Sequence, residues 1–330
     1  MSRELKISLL YHPTTVVLID DNENYLKQLS WFISKFYPCK IFTDPDFALD
    51  YLNQLQQESF ADRYLRLLEE EELGRFSLKK EIRSIRTEMI NPGRFSQVSV
   101  VIADYSMPIL NGINFLEKIN RKGFFKILLT GNADFQVATK AFNERKIDKF
   151  LKKEEDDLKD NLLEGITFFE RQYFLNTSNI MLGKLDRNIL LSLERKDVSD
   201  FFYNFIKEHN IVEYNIIGDS TDFHLFDGDG EMILFSIKSM EEIEKMYEWA
   251  TIELSLQDKS KFGGLNKKEE IPLFSTLEDV ENKHPEDWKL YPSKNIPGSS
   301  EYFYAYKKVM KQEGRTSFNK FLSKARENLG

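Results

Sequence analysis

Cysteine is nearly absent: Cys39 is the one thiol in 330 residues. A lone thiol excludes an intrachain disulfide and any zinc cluster built from cysteine pairs, and it reads as a buried or semi-exposed side chain. Long apolar runs are missing too, since no stretch approaches the roughly 20 residues that cross a bilayer. The opening MSRELKISLLYHP lacks the apolar core and small residues of a secretion signal. Basic charge is not in excess: 46 Lys and Arg stand against 54 Asp and Glu, a net charge of −8. The chain as a whole therefore presents no electrostatic footprint for nucleic acid or membrane. No internal repeat is visible. The expected compartment is the cytoplasm.

What is present is enough chain for two domains, each with its own core. The stretch around Val98 to Gly112 organises the first. Val98 to Ala103 reads as a fully buried strand of a parallel sheet, because such strands are covered on both faces. It stops at Asp104, and a turn with Met107, Pro108 and Gly112 follows. The earlier run Val16 to Ile19 ends likewise, in Asp20-Asp21. Open α/β sheets place their ligands at the carboxyl ends of their strands, so three carboxylates are expected in one pocket.

Taken in order, a helix follows Asp21-Asn22-Glu23 and ends at Pro38, and Lys40 to Phe42 is a second strand. Asp44-Pro45 has the form of a helix start, a capping side chain before a proline. That helix is expected to run to near Gly74, with a second from Ser77 to Ile90, so residues 56–95 read as an inserted helical hairpin. Strand Phe125 to Leu129 ends in Thr130-Gly131, Asn132 caps a helix from Ala133 to Arg145, and Ile147 to Leu151 is a fifth strand. Strands alternating with helices predict a doubly wound parallel sheet. Residues 154–182 read as one long helix with more apolar surface than docking on a single sheet requires, either a connector and dimer seam or a helix packed only on its own domain. From Lys184 the pattern changes to a helix, an antiparallel meander over 212–238, and a helix opened by the capping box Ser239 to Glu242. Residues 256–300 look irregular.

The strand-end residues have a shared chemical logic. Adjacent carboxylates repel and are comfortable only around a cation, and a few hard oxygens suit Mg²⁺. A carboxylate can accept a phosphoryl group, a lysine ammonium can pair with its oxygens, and a threonine beside a glycine can swing onto them. The order IDD, DYSMP-x-x-x-G, LLTG and FLKK resembles the receiver domain of two-component response regulators. That resemblance implies Asp104 as phosphoacceptor. It implies Asp20, Asp21, Asp104 and the backbone carbonyl of Ser106 as Mg²⁺ ligands. Thr130 would be the switch hydroxyl, Phe150 the switch aromatic, and Lys153 the phosphate-pairing lysine, taken over Lys152 on its spacing from Phe150. A histidine kinase or phosphotransfer protein would be the partner. Two departures stand out: Glu154 follows the lysine where the family has proline, and the helical insert lengthens the gap between Asp20 and Asp104. The implied fold is a flavodoxin-like, five-stranded α/β receiver over 14–155, a connector helix over 156–183, and an α+β output domain over 184–330.

The output half carries no helix-turn-helix, phosphate loop, zinc spacing or cyclase signature, so no enzymatic activity is expected beyond the receiver's own phosphotransfer and dephosphorylation. From Phe303 onward 7 basic residues stand against 2 acidic, interleaved with aromatics. Such a tail could touch nucleic acid, but a solvated face over core aromatics is the favoured reading. His209 reads as a helix end, and His224 with Asp222 as structural. Three outputs are ranked: a dimerising or partner-binding module, a gated nucleotide-binding or enzymatic domain, and a DNA-binding regulator. The whole is similar to atypical regulators of bacterial signalling circuits, quorum-sensing ones among them.

Overall fold

The computed structural model describes residues 4–55, 78–119, 123–131, 134–182, 185, 187–218, 220–253, 258–275, 284–309 and 314–327. The first half of the chain runs through β1 (Leu10–Tyr11), β2 (Thr15–Ile19), α1 (Glu23–Ile33), β3 (Cys39–Phe42), α2 (Pro45–Gln54) and α3 (Leu78–Ile90). Next come β4 (Val98–Asp104), α4 (Gly112–Lys118), β5 (Phe125–Thr130), α5 (Phe135–Asn143), β6 (Lys149–Lys152) and the 23-residue α6 (Leu158–Ile180). The second half contains α7 (Arg187–Leu193), α8 (Lys196–Glu208), β7 (Ile211–Ile216), β8 (Asp222–Asp227), β9 (Met232–Ser239) and α9 (Met240–Glu253). It closes with α10 (Gly263–Asn266), β10 (Glu270–Pro272), β11 (Leu290–Pro292), β12 (Lys294–Asn295), β13 (Tyr302–Val309) and α11 (Phe318–Glu327).

These elements fall into two compact units. One takes the described residues of Pro13–Arg63, Pro92–Tyr173 and Asn319–Gly330. Its five parallel strands lie in the order β3-β2-β4-β5-β6. Both β2 and β4 are buried at every position, as strands covered on two faces must be. Because successive side chains point to opposite faces, Val17, Ile19, Val101 and Ala103 pack with α2, α4 and α5. Val16, Leu18, Val100 and Ile102 pack instead with Leu26 and Leu29 of α1 and with Leu158, Leu162 and Ile166 of α6. The sheet is therefore doubly wound, as the alternating pattern predicts.

Local chemistry fixes the ends of these elements. Asn22 and Asp44 cap α1 and α2 by accepting from Tyr25 N and Asp46 N. Gly112 opens α4 where only glycine fits, since a Cβ there would run into the backbone carbonyl of Asp104 and lie 2.8 Å from Leu128. Arg326 of α11 donates to the carbonyls of Ser34 and Lys35 at 2.5 and 2.9 Å, satisfying acceptors that the end of α1 leaves open. The fully buried Glu170 takes the backbone N–H and hydroxyl of Thr14 at 2.6 and 2.7 Å.

The other unit gathers the described residues of Met1–His12, Tyr64–Asn91 and Phe174–Phe318 around a six-stranded antiparallel sheet, β1-β7-β8-β9-β13-β12. The meander β7-β8-β9 lies at its centre, and the capping box is formed, with Ser239 and Glu242 bonding each other's backbone N–H. Two strands carry no sequence signal: β1 comes from the N-terminal residues, and β13 occupies the first part of the basic, aromatic tail. The stretch expected to be irregular holds α10 and the small β10-β11 sheet. The insert's second helix is α3, which belongs with this unit, while the expected continuation past Gln54 falls on residues 56–77, outside the described residues. Asn132 and Ala133 also lie outside them. Among the described residues no helix is long and apolar enough to cross a membrane.

Two stability effects follow. Gly112→Ala should cost about 1–3 kcal/mol through forced separation of α4 from β4, read as a lower urea midpoint at unchanged slope. His224 on β8 is pushed down to about 4 from 6.5, chiefly by burial and also by Arg315 and Arg86, against opposing effects from Ser275 and Asp222. Between these values the unfolded chain binds a proton that the folded chain refuses. The contribution is intact above about pH 6.5 and is lost as pH falls towards 4. Urea midpoints at pH 7 and pH 5 should therefore diverge more for wild type than for His224→Gln.

Candidate functional site at the carboxyl ends of the parallel strands

Neighbouring strands bring the acids together. Ile19 of β2 is paired with Ala103 of β4, so the residues that follow, Asp20 and Asp104, emerge side by side. Both are buried, with side chains only 4% and 6% exposed, whereas Asp21 is exposed. One carboxylate oxygen from each of Asp20, Asp21 and Asp104 lies within 4.8 Å of the other two. Such a set of hard oxygens is able to hold a divalent cation.

Lys153 answers the charge. Its backbone N–H donates to the Thr130 carbonyl at 3.0 Å, fixing the chain just beyond β6 against the end of β5. From there its Nζ reaches Asp20 Oδ2 at 2.7 Å and Asp104 Oδ1 at 2.9 Å. Burial raises the Asp104 carboxyl above the usual carboxylate range; Lys153 pulls it back, and Asp20 and Asp21 add to the rise. Burial works against the Lys153 ammonium, but its two carboxylates outweigh it and the group is held above the ordinary lysine value. The neighbouring Lys152 goes elsewhere, with its Nζ over the Phe135 ring at 4.3 Å.

The remaining residues singled out by sequence lie around this centre without all pointing into it. Thr130, at the end of β5, is buried, and its hydroxyl donates to the Gly131 carbonyl at 3.2 Å. Phe150 on β6 is half-buried and meets Phe135 and Phe142 edge to face at 5.3 and 6.0 Å. Ser106 follows β4 by two residues, and its hydroxyl donates to Asp134 at 3.3 Å. Glu154, standing where the resembled family has proline, passes close to Gly131, where an added Cβ would lie 3.5 Å from its Oε1. One residue that sequence reasoning passed over also belongs here. Tyr25, in the first turn of α1, has its ring 4.5 Å from Lys153 Nζ. An aromatic four residues beyond the acidic pair was the available signal.

Removing Lys153 leaves the two buried carboxylates facing each other without a cation. In metal-free buffer, Lys153→Met should raise the Asp104 carboxyl titration above its wild-type midpoint, followed by ¹³C NMR of the labelled carboxyl.

No protein-family model and no curated protein matches the chain. Solved structures do. The response regulator LqsR of Legionella pneumophila is similar over 99% of both chains, at 24% identity and a TM-score of 0.74. An adenylate cyclase structure from Rhodopirellula baltica aligns with 52% of this chain and 98% of its own, at 20% identity and a TM-score of 0.37. A CheY-like receiver domain protein of Methanospirillum hungatei aligns with 49% of this chain and 96% of its own, at 16% identity and a TM-score of 0.33. The two partial likenesses add no weight to the assignment. Strand order, the acidic pocket and the full-length likeness agree that the chain has the fold of a response regulator, a receiver-type parallel unit joined to an antiparallel one.

Proposed function

We propose that the chain is a response regulator in a two-component phosphorelay, with Asp104 as phosphoacceptor. The supporting observation is the cluster itself: a buried carboxylate at a strand end, two further acids within 4.8 Å, and one lysine bridging the inner pair. A histidine kinase or phosphotransfer protein offers phosphohistidine. An Asp104 oxygen attacks phosphorus, the phosphorus–nitrogen bond breaks, and the histidine leaves with the bonding pair.

The donor set fits Mg²⁺, which Asp20, Asp21, Asp104 and the Ser106 carbonyl would hold. When bound, the ion supplies the positive charge that lets an anionic donor approach anionic acids. Lys153 pairs with the transferred phosphoryl oxygens in place of its present contact with Asp104. Thr130 gives up its weak bond to the Gly131 carbonyl and turns to the same oxygens. Phosphorylation adds up to about −2 charge, enough to redraw these contacts, and the change passes to the face bearing Phe150.

Dimerisation or partner binding by the antiparallel unit is the output we place first. That unit holds a cavity of about 450 Å³ lined by Arg195, Glu241, Glu301 and Tyr302 among others. Arg195 is already committed to Asp197 at 2.7 Å and Glu301 at 3.0 Å, which lowers the case for a ligand-binding enzyme. Nucleic-acid binding by the tail ranks last. Arg315 is paired with the buried Glu213, Lys307 bonds Tyr291, and Tyr302 and Phe303 are core residues. The expected setting is a bacterial signalling circuit, with quorum sensing as one candidate.

Acetyl phosphate with Mg²⁺ should place one phosphate on wild type and none on Asp104→Asn, read by intact-mass spectrometry. Stable Mg²⁺-dependent labelling of Asp104→Asn would contradict the assignment. Light scattering with and without beryllofluoride then reads the output: a mass increase confined to wild type identifies dimerisation.

A further inference from the structure

Tyr25 stands beside the site with a hydrogen bond left unmade. Its backbone N–H is held by the Asn22 cap at 3.1 Å, which sets the first turn of α1 directly after the acidic pair. Its ring lies against Lys153, Nζ to centroid 4.5 Å. Its hydroxyl is buried and has no hydrogen-bond partner among the described residues. Buried hydroxyls are nearly always satisfied, and an unsatisfied one costs free energy in the state that lacks its partner.

The neighbouring charges are already engaged with one another. Lys153 is an ammonium and can accept nothing. Asp20 already takes the backbone N–H of Asn22 on Oδ1 and Lys153 on Oδ2, and Asp104 Oδ1 takes Lys153 as well. Burial is the main reason the Tyr25 hydroxyl is held above its ordinary value; Lys153 opposes this, and Asp20, Asp104 and Glu154 reinforce it. The phenol thus keeps its proton and lies within the electrostatic reach of Asp104 and Lys153 with its donor unused.

We propose that Tyr25 is a positioning residue for the phosphorylated state: its ring steadies Lys153, and its hydroxyl donates to a phosphoryl oxygen once Asp104 carries the group. The inference rests on Asp104 being the phosphoacceptor. A phosphoryl group brings three strong acceptor oxygens into this pocket, beside a hydroxyl that has no partner without them. A bond available in only one of two states favours that state, so Tyr25 deepens the phosphorylated state and lengthens its life.

Tyr25→Phe removes the hydroxyl and keeps the ring. The test uses the full chain with Mg²⁺, measuring beryllofluoride affinity and the half-life of phosphate loaded from acetyl phosphate. Tyr25→Phe should bind beryllofluoride about tenfold more weakly and lose phosphate about tenfold faster, the effect of one hydrogen bond to a charged group. Its melting temperature without beryllofluoride should equal or exceed that of wild type, because an unsatisfied donor has been removed. Tyr25→Leu, lacking the ring, should lose further affinity. Unchanged affinity and half-life in Tyr25→Phe would overturn the inference while leaving Asp104 in its role. A loss of ligand-free stability matching the loss of affinity would also overturn it, since the residue would then be structural. Failure of folded wild type to take up either reagent would remove the phosphoacceptor reading, and this inference with it.

Discussion

Two carboxylates that the sheet forces together, and one ammonium that makes their proximity tolerable, set the terms for the parallel unit. Asp20 and Asp104 cannot separate, because β2 and β4 are hydrogen-bonded neighbours whose side chains are locked into cores on both faces. Burying like charges is costly unless they are paired. Lys153 supplies the pairing, and its placement depends in turn on β6 lying beside β5. The site is therefore a property of strand order. Any change that shifted β4 by one residue would send Asp104 to the opposite face.

A buried ion triad of this kind contributes little to stability, since desolvation offsets most of the attraction. Its value lies in being rearrangeable. One lysine serves two acids, one threonine rests on a poor acceptor geometry beside a glycine, and one tyrosine hydroxyl goes unserved. Under the proposed function each of these groups has a better partner in the phosphorylated state than in the present one. Preference spread over several weak contacts makes a two-state element responsive without making either state rigid.

Much of this could be read from sequence because parallel strands leave a plain trace. The apolar runs at 16–19 and 98–103, broken only by Ser99, show no polar alternation, and each ends abruptly at an acid. Caps were legible at Asp44 and Ser239, where a short polar side chain precedes a periodic run, and the start of α1 was legible within Asp21-Asn22-Glu23 though not that Asn22 is its cap. What escaped was non-local. Two residues at Leu10–Tyr11 have no pattern to detect, and become a strand only because β7 lies ready to receive them. The aromatic, basic stretch from Tyr302 reads as surface until β9 covers one edge of it. Tyr25 looked like an ordinary helix residue, since an unsatisfied hydroxyl exists only in three dimensions. Residues 152 and 153 differ in sequence only by order, yet one lies over an aromatic ring and the other between two acids.

The arginine near the end of the chain has a bearing on how this protein is made. Arg326 satisfies the carbonyls that close α1, and its partner Ser34 lies 292 residues earlier. The parallel unit also draws on 92–173, while the stretches between belong to the other unit. During synthesis, then, neither unit can be finished before the next is begun. Helix α1 can form early, but the carbonyls of Ser34 and Lys35 gain their bonds from Arg326 only once 292 further residues have been made. At about 5–20 residues per second that is a delay of some tens of seconds, during which part of the parallel unit stands incomplete.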